Sequence, residues 1–445
     1  MIGAFIHRKK RLTSFQVIIL GFSSVILLGS LLLMLPISSR EGVVTSFFDT
    51  LFTSTSAVCV TGLVVHDTAA YWSSFGQFII MLLIQIGGMG VITVAVSLFI
   101  ISGRKISLMQ RSTMQEAIAA PKVGGIVRLT SFIVKTTLLI ELLGAAVMAP
   151  VFCRDFGIKG LWMALFHSVS AFCNAGFDLM GTQAPFSSLT GYVSQPVINL
   201  TIMTLIIVGG IGFLTWDDVI TNRWHFRKYR MQSKVIFCTT AILLIFPAIY
   251  FYFCEFADMA PKERILSSLF QSVTPRTAGF NTVDLTALSE PGKWITILLM
   301  ITGGSPGSTA GGMKTTTLAV LFATAISTFR RKEDTHFFGR RIEDSVVKNA
   351  ATILLMYVVL FFAGGLAISM AEGLPVLPCL FETASAVGTV GLSLGLTPGL
   401  GAFSRIILIL LMFFGRVGGL TLVFAALSGT KKTASKLPQE KITVG

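Results

Sequence analysis

Four short stretches of this 445-residue chain place glycine and small polar residues at the edge of apolar runs, where a membrane helix would carry leucine. Each stretch begins with Leu-Phe and has a glycine, hereafter its closing glycine, as its next-to-last residue: LFTSTSAVCVTGL (51–63), LFHSVSAFCNAGF (165–177), LFQSVTPRTAGF (269–280) and LFETASAVGTVGL (380–392). Glycine can adopt positive φ and lets another backbone come close. The neighbouring carbonyl oxygens, rather than side chains, are therefore the candidate ligands. Rings of carbonyl oxygens can replace the hydration shell of a cation.

The candidate ligands are the closing glycine of each stretch and the two residues before it. They are Val60, Thr61, Gly62, Asn174, Ala175, Gly176, Thr277, Ala278, Gly279, Thr389, Val390 and Gly391. The last three match the start of the TVGYG pattern of potassium filters, and the other copies keep only the glycine. None of the twelve is acidic, which argues against a carboxylate ring that selects divalent ions. The set predicts a binding site for potassium ions.

The composition is that of an integral membrane protein. Hydrophobic residues make up 53% and charged residues 13% of the chain, against about 25% charged in a soluble domain. Eight segments are long and apolar enough to span a bilayer: 15–36, 74–101, 132–152, 193–216, 235–254, 292–328, 349–370 and 403–427. Four shorter apolar segments, near 44–58, 160–173, 264–275 and 376–388, predict re-entrant half-helices. We therefore expect an all-α, multi-pass membrane protein.

The distribution of Lys and Arg indicates how the predicted spans are oriented in the membrane. With eight spans both termini lie on one side, and the segments on that side carry far more Lys and Arg than Asp and Glu. The positive-inside rule places both termini in the cytoplasm. The net charge of +14 is then spread over short loops beside spans, so it does not indicate nucleic-acid binding. Such loops favour contact with the lipid bilayer or an acidic cytoplasmic partner.

A second motif recurs in register with the first. It reads QIGGMGV (85–91), IVGGIGF (207–213), ITGGSPG (301–307) and FFGRVGG (413–419). Two patterns in register across four copies indicate repeated units, arranged about a pseudo-fourfold axis along the membrane normal. We assign the repeats to 1–110, 111–230, 231–348 and 349–430, with a cytoplasmic tail at 431–445.

The sixth span is the one conspicuous break that the sequence predicts. Glycines and Pro306 cannot hold a helix at membrane depth, so this segment must face a water-filled cavity. We hypothesise that it blocks a pore, although a hinge without gating is the alternative. The gate candidates are Gly303, Gly304, Ser305, Pro306, Gly307, Ser308, Thr309, Ala310, Gly311, Gly312, Lys314 and Arg416.

The two basic gate candidates leave several roles open. Arg416 lies within a span, where a charge is costly and functional by default. It could snorkel to an interface, repel cations or bind carbonyls of the broken segment. Lys314 could be a gate charge or a snorkelling residue.

The unit of half-helix, glycine and span, in four unequal copies, resembles the Trk/Ktr/HKT superfamily of potassium transporters over nearly the whole chain. The eight-span length is most similar to the membrane subunits of bacterial Ktr systems, the KtrB type. The resemblance implies that the four glycines form one selectivity filter and that residues 302–317 (TGGSPGSTAGGMKTTT) are its gate, with Arg416 beside it. Family members with serine at the first of these glycines favour sodium, so glycine at Gly62 favours potassium.

The same resemblance implies partners that this chain does not contain. It implies a homodimer in the cell membrane and a cytosolic ring of nucleotide-binding RCK subunits, similar to KtrA, as regulator. No organic cofactor is expected, and sodium is a further candidate ion.

Three other readings compete with a channel-like transporter. The glycines could serve helix packing, which is common in membranes, but packing does not explain the half-helices. A secondary transporter coupled to sodium or protons would need broken helices in corresponding halves, and only the sixth span is conspicuously broken. An intramembrane enzyme would need a nucleophile and a base. No HExxH occurs, and no acid pair has a plausible pocket, so we predict no enzymatic activity.

Overall fold

Long apolar helices alternate with short ones along the chain. The computed structural model describes residues 13–101, 108–118, 124–182, 184–223, 225–419 and 421. The helices of the first two repeats are α1 (Ser14–Leu33), α2 (Phe47–Val58), α3 (Thr68–Tyr71), α4 (Ser74–Met89), α5 (Val91–Ile101), α6 (Leu108–Ile118), α7 (Ile126–Phe156), α8 (Lys159–Phe172), α9 (Pro196–Ile211) and α10 (Phe213–Asn222).

The second half of the chain again alternates long and short helices. Its helices are α11 (Met231–Tyr250), α12 (Pro261–Val273), α13 (Glu290–Ile301), α14 (Thr315–Phe329), α15 (Asp344–Glu372), α16 (Val376–Gly388) and α17 (Ala402–Val417). A π-helical turn (Phe251–Glu255) extends α11. A small antiparallel hairpin, β1 (His336–Phe337) and β2 (Arg340–Arg341), lies between α14 and α15. The predicted tail, 431–445, lies outside the described residues.

The long helices α1, α7, α11 and α15 belong one each to the four predicted repeats, hereafter the units, and carry the apolar outer surface. Each is long and apolar enough to cross a membrane. Leucines such as Leu28 on α1 and Leu142 on α7 are exposed, as expected for helices that face lipid. Two further spans are bent helix pairs, so the described residues contain four to six membrane-spanning candidates by length and composition. The prediction of eight spans stays a prediction.

The short helices α2, α8, α12 and α16 lie inside this shell, at the four segments predicted as half-helices. Their hydroxyl-bearing residues are buried, as in the run Thr53 to Ser56 of α2. Small residues let the long helices approach them. A β-carbon on Gly29 of α1 would come within 2.5 Å of the Ser54 hydroxyl oxygen, and one on Gly144 of α7 within 2.5 Å of that of Ser168. Close approach through glycine is typical of membrane helix packing.

The four units contact one another in a closed order. The short helix of each unit packs on a helix of the preceding unit: α2 contacts α17, α8 contacts α4, α12 contacts α9, and α16 contacts α13. The short helices are thereby gathered at the centre of the molecule.

The prediction that only the sixth span is conspicuously broken is wrong. Helices α4 and α5 meet at an angle of 97°, and α9 and α10 at 95°. The bends occur at Gly90 (φ 87°) and Gly212 (φ 103°), and Gly418 after α17 has φ 89°. These conformations lie in the positive-φ region that glycine alone adopts readily. Pro306 occupies the aligned place in the third unit, where α13 ends earlier.

The third unit replaces the bend with irregular chain. Helix α13 ends at Ile301 and α14 begins at Thr315, so residues 302–314, hereafter the loop, are not helical. The predicted gate segment, 302–317, therefore extends three residues too far, because residues 315–317 already belong to α14. The loop is largely buried, so its backbone groups need partners within the protein.

Candidate functional site

The backbone after each short helix takes the same two special conformations. The first predicted ligand of each stretch has positive φ: 50° at Val60, 59° at Asn174, 69° at Thr277 and 51° at Thr389. The closing glycines, hereafter the ring glycines, also have positive φ: 92° at Gly62, 70° at Gly176, 81° at Gly279 and 95° at Gly391. Valine and threonine rarely adopt such values, so the surrounding structure imposes the conformation at all four places.

The ring glycines lie side by side around one centre. A β-carbon on Gly62 would overlap the carbonyl oxygen of Ala175, and one on Gly176 would come within 2.7 Å of that of Ala278. The contacts continue from Gly279 to Val390 and from Gly391 back to Thr61. Each glycine thus faces the middle residue of the next unit, and the series closes in chain order. A side chain at any of these positions would strike the neighbouring backbone.

Backbone N–H groups in the ring are used locally. The N–H groups of Thr61, Ala175 and Val390 each donate, over 2.8 Å, to a serine carbonyl in the preceding short helix. Ser56 and Ser385 also accept, through their hydroxyl oxygens, from the N–H groups of Gly62 and Gly391 at 3.0 and 2.9 Å. Donors are therefore turned away from the centre.

Carbonyl oxygens of the middle residues remain free for a ligand. Those of Thr61, Ala175, Ala278 and Val390 accept no hydrogen bond within the part of the chain that the structure describes. The short helices also end here, and a helix C-terminus carries a partial negative charge. Oxygens and helix ends together favour a cation at the centre of the ring.

Two cavities flank the ring. The first, of 430 Å³, is lined by all four ring glycines and by Asp67, Asp178 and Asp284. We call it the acidic cavity. Burial, reinforced by the charge of Asp67, raises the pKa of Asp178 to about 7. The second, of 400 Å³, is lined by the loop, by the bends after α4 and α17, and by Arg416; we call it the loop cavity.

Two buried side chains that the sequence reading did not assign to the site support the acidic side of the ring. Glu382 of α16 accepts hydrogen bonds from Ser393 Oγ (2.6 Å), Leu394 N (3.0 Å) and Thr397 Oγ1 (2.6 Å). His167 takes the aligned place on α8, where Nε2 accepts from Leu179 N at 3.3 Å. Both hold the chain that follows a ring glycine. In the sequence, both residues directly follow the shared Leu-Phe of their stretch, and this common position could have indicated their role.

The loop satisfies the exposed ends of neighbouring helices. The last four carbonyls of a helix have no partner within it, and α9 and α17 end at the bends described above. Ser305 N donates to Gly210 O (2.9 Å), Thr309 N to Gly209 O (3.3 Å) and Gly312 N to Gly415 O (3.2 Å). In return, Phe213 N donates to Gly307 O (2.7 Å). The loop is thus bonded to the second and fourth units, the two neighbours of its own.

Arg416 reaches the first unit, which lies opposite the loop. Its guanidinium donates to the carbonyl oxygens of Gly87 and Gly88 at the end of α4, the latter at 3.1 Å, and to that of Thr309. The structure therefore favours binding of loop carbonyls over snorkelling. Lys314 also binds the loop, because Nζ donates to Ala310 O (2.7 Å) and Gly311 O (3.3 Å).

The structure brings the predicted residues together in two layers. The twelve predicted ligands form the ring region, and the predicted gate residues 303–312, Lys314 and Arg416 lie in or against the loop. The sequence reading missed the carbonyl acceptors Gly87, Gly88, Gly209, Gly210 and Gly415. Their signal was the second glycine motif, whose role as a helix end was not recognised.

Comparisons with known proteins agree with this architecture. The sequence model of a family described as "TrkH: Cation transport protein" matches residues 8–437. The chain is 40% identical to the potassium/sodium uptake protein NtpJ of Enterococcus hirae, over 98% of both chains. It is 38% identical to Ktr system potassium uptake protein B of Bacillus subtilis, over 98% of this chain and 97% of that one.

A solved structure shares the fold. The crystal structure of the potassium transporter TrkH from Vibrio parahaemolyticus matches with a TM-score of 0.74, covering 95% of this chain and 86% of that one. The two sequences are 20% identical, so this likeness shows the fold alone.

Proposed function

The chain belongs to the TrkH family of cation transport proteins, and on that basis we propose that it takes up potassium through a pore at the centre of its four units. It is a transport protein and not an enzyme. Potassium loses its water shell in the ring, where the carbonyl oxygens of Thr61, Ala175, Ala278 and Val390 replace it. Relatives whose names specify potassium uptake support this cargo.

One observation carries the proposal: the ring glycines form a closed series in which each lies against the middle carbonyl of the next unit. Helix-packing glycines would not require positive φ at eight positions. A cation in this ring meets oxygens from four sides and no fixed positive charge among the twelve residues. The acidic cavity on one side raises the local cation concentration.

The loop is the proposed gate. It separates the ring from the cytoplasm, in the orientation that the basic segments favour. Its hydrogen bonds reach the two neighbouring units, and Arg416, which also contacts the loop, binds the first unit on the opposite side. Displacing the loop opens the route from the ring to the loop cavity. Deleting about six residues, such as 306–311, should raise rubidium flux in proteoliposomes; unchanged or lost flux in a folded variant contradicts the gate.

The protein is further proposed to act as a homodimer in the cell membrane, with a cytosolic RCK-type ring, similar to KtrA, as regulator. Relatives named as components of a Ktr system support this. Both termini and the basic loops then face the regulator. Light scattering of purified protein tests the dimer, and a purely monomeric mass would contradict it. Nucleotide-dependent copurification with such a ring subunit tests the regulator, and an absence of any complex would contradict it.

The transport proposal is tested in potassium-transport-deficient cells. Expression of the chain should restore growth at low potassium and support rubidium uptake. Gly62→Ser should reduce the preference for potassium over sodium, because its side chain meets the Ala175 carbonyl. Expressed, membrane-inserted protein that gives no uptake of either ion contradicts the proposal.

A coupled secondary transporter is the second candidate. The bends at Gly90 and Gly212 place broken helices in corresponding units, as such transporters require. The name of one relative also includes sodium. Rubidium flux in liposomes separates the two. Downhill flux without a sodium or proton gradient favours the channel-like transporter, and strict dependence on a gradient favours coupling.

A further inference from the structure

A groove separate from the ring and the loop lies on the side of the molecule that is predicted to be cytoplasmic. It consists of two adjoining cavities, of 710 and 540 Å³, which share Gly125, Ile126 and Arg128 at the start of α7. We call it the basic groove. Cavities of this size are typical of sites that hold small organic molecules, so the basic groove is large enough for a ligand.

The walls of the basic groove are apolar and accessible. Leu129 and Phe132 line it on α7, and Leu214 and Ile220 line it on α10. None of these four side chains is fully buried, and Ile220 is 58% exposed. Because exposed apolar side chains that line a concave surface are typical of binding sites, the walls favour a ligand with an apolar part.

The rim of the basic groove carries more positive than negative charge. Among the described lining residues, Arg111 of α6, Arg128 of α7 and Arg230 next to α11 stand against the carboxylate of Asp217. Asp217 pairs with Arg230 at 3.3 Å, whereas Arg111 and Arg128 form no ion pair with any residue that the structure describes. Their side chains are exposed. Two guanidinium groups are therefore free to bind an anion.

The basic groove opens at the level of lipid headgroups. Arg128 and Arg230 lie just before the predicted spans 132–152 and 235–254. Because α10 meets α9 at 95°, a span formed by α9 leaves α10 lying along the membrane surface. Basic pockets between membrane helices on the cytoplasmic side bind the headgroups of anionic lipids. The position of the groove therefore favours a lipid over a ligand that arrives from water.

The start of α7 adds a smaller attraction for an anion. The helix begins after Gly125, which provides no side-chain cap, and its first turn contains no acidic residue. Free N–H groups at a helix N-terminus favour phosphate. A β-carbon on Gly124 or Gly125 would meet nothing within 4 Å, so the approach to these N–H groups is open. The helix end thus supports the two arginines, which supply the main charge.

We infer that the basic groove binds an anionic phospholipid of the surrounding bilayer. Arg111 and Arg128 bind the phosphate, for which the planar guanidinium group is well suited. The acyl chains lie against Leu129, Phe132 and Leu214. A free phosphate ion would leave these walls uncovered, so a lipid matches both parts of the groove. This site lies outside the ion route, and the inference does not depend on potassium transport.

The test follows the thermal stability of purified, delipidated full-length protein in detergent while dioctanoyl phosphatidylglycerol is added. The unfolding temperature should rise with lipid concentration, because a ligand that binds the folded state stabilises it. Dioctanoyl phosphatidylcholine, whose choline offsets the phosphate charge, and inorganic phosphate should each give a smaller rise. Arg128→Gln should weaken the apparent affinity for phosphatidylglycerol about tenfold, because a charge-assisted hydrogen bond to the phosphate is lost.

Arg340→Gln is the matched control. Arg340 is an exposed arginine of β2, predicted to lie on the same side of the membrane but outside the basic groove, and its loss lowers the net charge equally. It should keep the parent's affinity. An equal loss of affinity in both variants would show only a general attraction of charges, and an unchanged affinity in folded Arg128→Gln would show none at the groove. Either result overturns the inference.

Two further outcomes would assign the basic groove to another occupant. An equal response to inorganic phosphate would indicate a site for free anions. No response to any lipid would leave the groove to a protein partner or a second copy of the chain. Both outcomes overturn the lipid site. If Arg128→Gln fails to fold, Arg111→Gln decides by the same measurement, because Arg111 lines the same groove from a different helix.

Discussion

The ring and the layer beneath it are built from the same four units, yet only the ring is alike on all sides. In the ring, all four units repeat the same two positive-φ residues and the same contact from glycine to the next carbonyl. Beneath it, the first, second and fourth units each end a helix at a glycine, and the third unit has the loop instead. Arg416 stands where the other units have a glycine, Gly88, Gly210 or Gly304.

Under the proposed function, this difference assigns two tasks to different layers of the molecule. Binding a bare cation requires equivalent oxygens around it. The four ring segments accordingly differ in their side chains but share the same backbone conformation. Closing a pore requires one object that reaches every side. The loop supplies donors to two neighbours, and Arg416 supplies them to the unit that the loop does not reach. Symmetry above and asymmetry below therefore coexist in one fold.

Breaking the ring at a single glycine should have the largest effect. Gly279→Ala places a β-carbon on the Val390 carbonyl at φ 81°, so the ring must open. We expect potassium uptake to fall roughly 100-fold, equivalent to about 2.7 kcal/mol. Gly339→Ala is the control, because Gly339 has φ 76° but nothing within 4 Å of the added carbon. Uptake above half of the parent value in Gly279→Ala would mean that the ring is not the conduction route.

Weakening the contacts between Arg416 and the loop should raise ion flux, whereas disrupting the ring should lower it. Arg416→Gln removes the charge that holds the Thr309, Gly87 and Gly88 carbonyls. The loop is then less firmly held, and basal rubidium flux should rise about tenfold, since charge-assisted hydrogen bonds contribute about 1.5–3 kcal/mol. Lys135→Gln, at an exposed position on α7, removes the same charge elsewhere and should leave flux unchanged. Lower flux in folded Arg416→Gln would show that Arg416 supports conduction rather than closure.

The acidic cavity should show the smallest effect, as a pH dependence. The pKa of Asp178 is raised to about 7, so its carboxylate is ionised above this value and neutral below it. Potassium uptake at low concentration should fall about threefold when the external pH drops from about 8 to about 6, because the cavity loses part of its attraction for cations. Asp178→Asn should abolish this dependence, and Asp284→Asn should retain it. Equal pH profiles in the parent and Asp178→Asn would rule out Asp178 as the cause.

The ring residues could be predicted from the sequence because glycine and hydroxyl residues are unusual within such apolar segments. Glycine and hydroxyl residues in LFTSTSAVCVTGL or LFETASAVGTVGL have no reason to face lipid, and four aligned copies indicate one shared centre. The bends at Gly90 and Gly212 were missed for the opposite reason. Glycine pairs inside apolar helices are ordinary packing residues, and nothing in the letters distinguishes positive φ from close approach.

Hydrogen-bond partners also lay beyond the sequence. The sequence left three roles open for Arg416, and only the positions of the Gly87 and Thr309 carbonyls show that its guanidinium binds backbone oxygens rather than snorkelling. The contact between Thr309 and Asn174 joins residues 135 positions apart, so no local pattern could indicate it. Eight spans, by contrast, follow from hydropathy alone and stay a prediction beyond the four to six candidates among the described residues.

Anomalous diffraction from crystals soaked in rubidium tests the central claim most directly. The account predicts a peak on the pseudo-fourfold axis, bounded by the carbonyl oxygens of Thr61, Ala175, Ala278 and Val390, and loss of that peak in Gly279→Ala. Rubidium bound only at the carboxylates of the acidic cavity, with an empty ring, would contradict it.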